Sequence, residues 1–525
     1  MLISFNFEVH QPHRLKKEVD NTKKENLWDR YVDINLNREI FNRVANKCYI
    51  PTNNLILELI DEYNIKVAYS ITGVFLEQAM EFNEEVLDLF KDLVNTGNVE
   101  LIGETYHHSL SSLFEDHGDF KEDVEKHRKL LKELFNYEPK IFRNTELIYN
   151  NKIAQTVNEM GFNGIFTEGA DRILEWRSPN YVYRAPCGIN VLLRNYRLSD
   201  DIGFRFSSSQ WEEYPLTADK YASWLASSHG DCINLYIDYE TFGEHQWKET
   251  GIFEFLRYLP KEIEKYPNLE YGFPSEIIEK CIPKGEFNVF EFSTVSWADS
   301  ERDVSAWLGN KMQKISFEKL KKIREFLGRY VKTKYETLEG SDNGDNNINS
   351  HDVDNIMEYK IYKNLQTSDN FYYQCTKGFN DMDVHSYFSH FETPYDAYAS
   401  YMDVIYDFRS YILVSYIADK YSKRIENLKE KIEALNKTLN EREESIKDSY
   451  ELENLINKIN HLKEKLFKKD KEIKELREEN SKLIKELLSK SRPMDPKGNN
   501  KDTNNRKNNK KNKERKGLDE YIIGS

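Results

Sequence analysis

The sequence predicts an α/β fold, a parallel sheet with helical crossovers, followed by a helical segment and a C-terminal coiled coil. Three observations predict it. Short β-rich runs alternate with amphipathic helical stretches over residues 1 to about 335. Polar residues gather immediately after several of those runs, where a βα sheet builds its sites. From about Tyr421 the text becomes a long apolar seam flanked by Lys and Glu.

The strand candidates are Leu2–Val9, Lys66–Ile71, Val99–Ile102, Lys140–Arg143, Gly164–Thr167, Val191–Arg194 and Ile233–Ile237. Helical periodicity fills most of the gaps, as at Glu84–Asn95 and Asp119–Phe135. Repeated βα units make the sheet parallel, either closed as a barrel or open. Thr337–Asp354 is rich in Gly, Asn and Asp, which predicts a surface loop. Met357 to Lys420 is rich in Tyr and Phe and predicts helices packed on the sheet. Ile425, Leu428, Ile432, Leu435 and Leu439 keep the 3-4-3-4 spacing of a heptad seam, as do Leu455, Ile459, Leu462 and Leu466. That predicts a coiled coil or a long helical hairpin. The expected domains are therefore 1–335, 336–420, 421–490 and a disordered basic tail over 491–525.

Net charge is −15, and residues 492–525 carry ten basic against five acidic residues, which leaves −20 on the body. An acidic body excludes a nucleic-acid groove, which needs clustered Lys and Arg. No stretch approaches the roughly 20 apolar residues of a membrane span. The five cysteines are scattered with no CxxC, which points to a reducing compartment rather than a disulfide framework or zinc ribbon. The chain opens on MLISFNFEVH without the features of a signal peptide, so a cytoplasmic protein is expected.

Four segments put chemistry-bearing residues at strand ends. The first, Glu8 to Arg14, breaks at Pro12 and leaves His10 and His13 at the rim. The second, Gly97 to His108, holds Glu100, Glu104, His107 and His108. In the third, Glu146 follows a strand within a few residues, beside Arg143 and Asn144, whose charge and donors would favour an ionised carboxylate. In the fourth, an apolar strand runs straight into Asp238 and Glu240. Two carboxylates on separate strand ends can flank one scissile glycosidic bond, about 5–5.5 Å apart in retaining enzymes. Carboxylates at such positions also serve as loop caps or ion-pair partners.

Taken in this order, the segments resemble glycoside hydrolase family 57, the α-amylase and 4-α-glucanotransferase family. His10-Gln11-Pro12 is similar to its first motif, Gly97 to Glu100 to its second, and Glu146 lies where the third has its nucleophile. Asp238-Tyr239-Glu240 resembles the fourth, whose first acid is the proton donor, and Gln366 to Asp369 the fifth. The block from Ser296-Trp297 to Asn310 is also similar. The resemblance covers roughly residues 1–420 and implies an incomplete, seven-stranded parallel β/α barrel followed by a helical domain. Some family members carry Trp where this chain has Arg143, and the coiled coil lies outside the family core.

The resemblance implies a retaining α-glucan hydrolase with Glu146 as nucleophile and Asp238 as general acid/base. It also implies substrate contacts from His10, His13, Glu100, Glu240, Trp297 and Asp369, with Trp297 either stacking on a ring or filling the core. It requires no metal and no cofactor. A 4-α-glucanotransferase or branching enzyme would use the same pair. A metal-dependent deacetylase or mannosidase-like barrel would instead bind zinc through His10, His13, His107, His108 and Asp238. A third reading is a binding or assembly protein that keeps the barrel and works through its coiled coil, the expected seat of self-association.

Overall fold

The computed structural model describes residues 1–19, 26–338, 356–377, 389–443 and 449–490. Nine strands form one sheet: β1 Leu2–Val9, β2 Val67–Ile71, β3 Val99–Ile102, β4 Ile141–Arg143, β5 Gly164–Glu168, β6 Tyr183–Arg184, β7 Asn190–Arg194, β8 Cys232–Asp238 and β9 Glu270–Tyr271. Seven of them run parallel in the order β3-β2-β1-β8-β7-β5-β4. These are the seven predicted strands, each within a residue or two of its expected limits. β6 pairs antiparallel to β7, and β9 pairs with the first two residues of β1. Both are two residues long and leave no periodic signal.

The ring is nearly closed. Gly103, just past β3, donates to the Ile141 carbonyl at 2.9 Å and accepts from the Arg143 amide at 2.8 Å, which ties β3 to β4. On the other side, β7 and β8 meet at a single register pair, Arg194 with Asn234. An incomplete seven-stranded parallel barrel is what the family resemblance implied.

Alternation along the strands sorts the side chains. Ile3, Phe5, Phe7 and Val9 point outward into the layer of helices, with Val67, Tyr69 and Ile71 from β2 and Ile233, Leu235 and Ile237 from β8. Burying Phe7 stabilises the layer by about 1.5–3 kcal/mol, and a Phe7→Ala cavity would cost about 3–5 kcal/mol. The inward set begins apolar, with Leu2, Ala68, Ile141, Phe166, Leu192 and Cys232 in one cluster. Towards the C-terminal ends it turns charged, and Glu8 and Asp238 stand in register on adjacent strands.

A helical region follows the barrel. Lys311–Leu338 packs against Pro394–Glu443, and Phe317, Leu320, Ile323, Phe371, Tyr401 and Phe408 share one core with the adjacent barrel wall. Its segment Gln366–Ser368 runs against the loop after β3: Leu110 donates to the Gln366 carbonyl and Ser368 to the His108 carbonyl, each at 2.9 Å. That pairing brings the helical region to the barrel rim.

Two of the three expected domain junctions fall inside helices. Lys311–Leu338 runs through 335/336 and Pro394–Glu443 through 420/421, because a change of sequence pattern need not interrupt a helix. The second seam is helical over Ser449–Lys490. Lys469 Nζ lies 5.8 Å above the Tyr421 ring, so this helix returns alongside the first. The compact unit ends at Ser481, and of the second unit, 482–525, residues 482–490 are described, as helix. The expected loop, beyond Leu338, and the expected disordered tail lie outside the described residues. Among the described residues, no helix is long and apolar enough to cross a membrane.

Candidate active site

The C-terminal ends of the strands open into a cavity of about 790 Å³. Its wall includes Glu8, His10, His108, Glu146, Asp238, Glu240, Trp297 and Asp369, drawn from six separate segments of the chain. Glu146 follows β4 by three residues and sits in the left-handed region, φ 58°, as does Leu147 at φ 52°. A non-glycine side chain there costs on the order of 1–3 kcal/mol and persists where the surroundings over-determine it.

Three donors hold the Glu146 carboxylate. Trp297 Nε1 donates to Oε2 at 2.7 Å, while Ser368 Oγ at 2.8 Å and His108 Nε2 at 3.2 Å meet Oε1. Burial by itself would raise its proton affinity. The His108 hydrogen bond and charge, the Arg143 guanidinium and the Trp297 hydrogen bond outweigh that and keep the group below the usual carboxylate range. Glu146 is thus held ionised.

Asp238 is the last residue of β8 and faces the opposite balance. Burial pushes it up, the Glu146 anion pushes it further, and Arg143, Arg194 and His108 recover only part, leaving it at about 6. One cavity holds an ionised carboxylate and a carboxyl that keeps its proton to near-neutral pH, the division of labour that acid/base glycoside chemistry needs.

Beneath them lies a buried charge cluster. Arg143, fully buried, reaches Glu8 Oε2 at 3.0 Å and Glu104 Oε2 at 3.6 Å. His108 Nδ1 lies 3.4 Å from Glu8 and 3.7 Å from Glu104. Burial opposes the protonated His108 ring, but Glu104, Glu146 and Glu8 raise it to about 10. Burial and the neighbouring Glu8 raise Glu104 to about 7. The His10 ring stacks on His108 with centroids 4.1 Å apart. Burial and that cation lower His10 to about 4, so it stays neutral and hydrogen-bonds Thr72 Oγ1 at 2.9 Å and Asp369 Oδ2 at 3.1 Å.

The remaining expected residues divide. Asp369 and Glu240 line the cavity; Glu240 accepts from the Tyr49 hydroxyl at 2.6 Å. Trp297 lies between the two readings given to it. It lines the cavity, but its indole N–H is committed to Glu146, and Arg143 sits 4.9 Å from its ring. Glu100 is a correction. It points into the barrel interior below the cavity, where its Oε2 accepts from the Ser275 amide at 3.1 Å and hydroxyl at 2.9 Å. His13 is another: its ring pairs with Glu77 at 3.3 Å and packs edge-on against Trp28.

The zinc set read from the sequence does not converge either, since His107 Nδ1 faces Asp123 Oδ1 at 2.5 Å. Among the described residues, His10, His108 and Asp369 offer ligand atoms within 4.8 Å of one another. His10 Nε2 is already engaged by Asp369 and His108 Nε2 by Glu146, and a cationic His108 repels a metal. The fit is poor. Roles for Glu8, Ser368, Arg194 and Arg302 went unread in the sequence. Arg194 and Arg302 reach Glu168 Oε2 at 2.9 Å and 3.1 Å, forming a second charged wall beside Asp238.

Comparison with known proteins identifies the family. Residues 4–290 match the model of glycosyl hydrolase family 57. The chain is 65% identical over 412 residues to the "Putative alpha-amylase" of Methanocaldococcus jannaschii, covering 78% of this chain and 85% of that one. It is 25% identical over 298 residues to an alpha-amylase of Pyrococcus horikoshii, 54% of this chain and 44% of that one. A family 57 branching enzyme of Thermococcus kodakaraensis shares the fold, with TM-score 0.56 and 14% identity over 79% of this chain and 91% of that one. A 4-alpha-glucanotransferase of Thermococcus litoralis aligns with TM-score 0.50 and 16% identity over 78% of this chain and 58% of that one. With the family match extending over more than half of its length, the chain belongs to glycosyl hydrolase family 57.

Proposed function

We propose that the chain is a retaining α-glucan hydrolase of the α-amylase type, cleaving α-1,4-glucosidic bonds in starch or glycogen. The observation that carries this is the contrast between Glu146 and Asp238, one carboxylate held ionised and one carboxyl held at about 6 in the same cavity. Glu146 attacks C1 of the sugar while Asp238 gives its proton to the departing glucan oxygen, leaving a glycosyl-enzyme ester. Asp238, now ionised, takes a proton from water as that water attacks C1 and frees Glu146. His10, Asp369 and Glu240 hydrogen-bond hydroxyls of the bound glucose. Trp297 and His108 keep the nucleophile ionised and aimed.

Transfer to a sugar hydroxyl, as in a 4-α-glucanotransferase or branching enzyme, uses the same pair and differs only in the acceptor. The name of the relative at 65% identity favours water. Incubation with maltoheptaose followed by chromatography tests this: hydrolysis yields only shorter products, and oligosaccharides longer than the substrate would overturn it. The free cysteines fit a reducing, cytoplasmic setting, and the helices beyond residue 420 are the proposed surface of self-association.

A further inference from the structure

A second concavity of about 730 Å³ adjoins the catalytic one. It is lined by Lys47, Gly243, Trp247, Glu249, Glu254 and Arg257, among others, and a single partition divides the two. On that partition the Glu244 carboxylate, which faces the catalytic cavity, binds Arg43 at 3.0 Å on its own side and Lys47 at 3.3 Å on the groove side. Gly243 fixes the spacing. Its φ is +109°, and a Cβ there would come within 2.0 Å of the Lys47 carbonyl, so the loop after β8 lies directly against the helical turn that carries both cations.

Two exposed aromatics mark a route across. Phe204 stands at the mouth of the catalytic cavity, 62% exposed, and Trp247 stands in the groove, 59% exposed. The Gln246 side chain donates to the Gly203 carbonyl at 3.0 Å, which holds the neighbours of the two rings together. Exposed aromatic faces ringed by charged hydrogen-bonding groups suit pyranose rings, whose C–H faces are apolar and whose edges carry hydroxyls. A wholly apolar partner would desolvate Glu249 and Glu254 together with the Lys47–Glu244 and Arg257–Glu58 ion pairs.

We infer that this groove is a distal glucan-binding site, in which a chain leaving the catalytic cavity passes Phe204, crosses the Arg43–Glu244–Lys47 partition and stacks a glucose on Trp247. The inference rests on the α-glucanase reading above and adds a preference for long α-1,4-chains over short oligosaccharides. The groove strengthens attachment of polymer without touching the reacting bond.

The test compares kcat/KM for amylose with that for maltotetraose in the full-length enzyme and in Trp247→Ala and Trp247→Phe. The Ala variant should lower the amylose-to-maltotetraose ratio by about three- to tenfold, and the Phe variant should restore most of it. A parallel arm measures retardation of the Glu146→Gln protein in gels containing amylose, with and without Trp247→Ala, where loss of the indole should weaken retardation by a similar factor. Either arm alone, read on protein with a native thermal transition, decides the matter. A wild-type enzyme active on amylose, with ratio and retardation unchanged by Trp247→Ala, overturns the distal site alone. A wild type inert on every α-glucan overturns the proposed function beneath it.

Discussion

Trp297 donates its indole N–H to Glu146 Oε2 at 2.7 Å, and its backbone amide also reaches the Glu146 carbonyl at 3.2 Å. The two residues are 151 positions apart, yet this double contact fixes both ends of a residue whose backbone sits in the left-handed region. The bond favours only the ionised carboxylate. It aims the nucleophile and lowers its proton affinity together.

Trp297→Phe separates those effects from bulk. The ring volume and the backbone contact remain, but Oε2 loses its donor, so Glu146 binds a proton more readily. The acidic limb of the pH–kcat/KM profile should move to higher pH, and activity at low pH should fall most. Steady-state kinetics from pH 3 to 8 on a soluble maltooligosaccharide check this. An unmoved acidic limb with uniformly lower activity would mean that Trp297 acts only by packing.

The wild-type profile should fall on its alkaline side near the Asp238 value of about 6, because the first step needs that group protonated. Asp238→Asn should lose this limb and about 10²- to 10⁴-fold in rate on substrates with poor leaving groups. Glu146→Gln should abolish turnover while leaving the thermal transition near that of wild type. Retained activity in either variant would remove the assigned pair.

How much of this was legible depends on whether the signal was local. The seven strands were readable because their signal is local: in Leu2–Val9 the apolar Ile3, Phe5, Phe7 and Val9 alternate with Ser4, Asn6 and Glu8, and the counterparts are equally short β-rich runs. Asp238 stood out because an apolar strand runs straight into it, and Glu146, three residues past its strand, because the third motif of the family resemblance falls there. Depth was not legible. Glu100 shares the inward parity of Glu8, but nothing in the sequence says that β3 carries it below the cavity and against Ser275. His108 was legible as one polar residue of the Gly97–His108 segment and as a metal candidate, without its partners. Its partners Glu8, Glu104 and Glu146 come from three segments that only the closed ring brings together. His13 lies three residues from His10 in one short segment, yet its ring meets Glu77 while that of His10 meets Asp369, a separation that only the assembled fold reveals.

His108→Gln tests the buried cluster. Glu8 and Glu104 would keep Arg143 as their one charged neighbour, and Glu146 would lose both a donor and a positive charge. Removing one member of a buried charge network costs about 3–5 kcal/mol. Urea unfolding at pH 7 should show a loss of that order, with a smaller loss at pH 10, where the wild-type His108 ring, raised to about 10, sheds its proton and most of its stabilising charge. Equal losses at both pH values would place the cost in packing rather than in charge.

The pull that makes Asp238 a proton donor should also cost stability. Its folded-state value of about 6 lies above the usual 3.8, so the folded protein must deprotonate it against burial and the Glu146 anion as pH rises through that window. Below pH 4 the folded and unfolded states both carry the proton and there is no cost. Above pH 6 the full cost, about 2–3 kcal/mol, weighs on the folded state. Asp238→Asn removes the ionisation and keeps the shape, so the variant should be more stable than wild type at pH 7.5 and nearly equal to it at pH 4. Paired denaturation curves at the two pH values read the difference directly. A variant no more stable than wild type at pH 7.5 would show that Asp238 ionises without strain, and the proton-donor role would lose its physical basis.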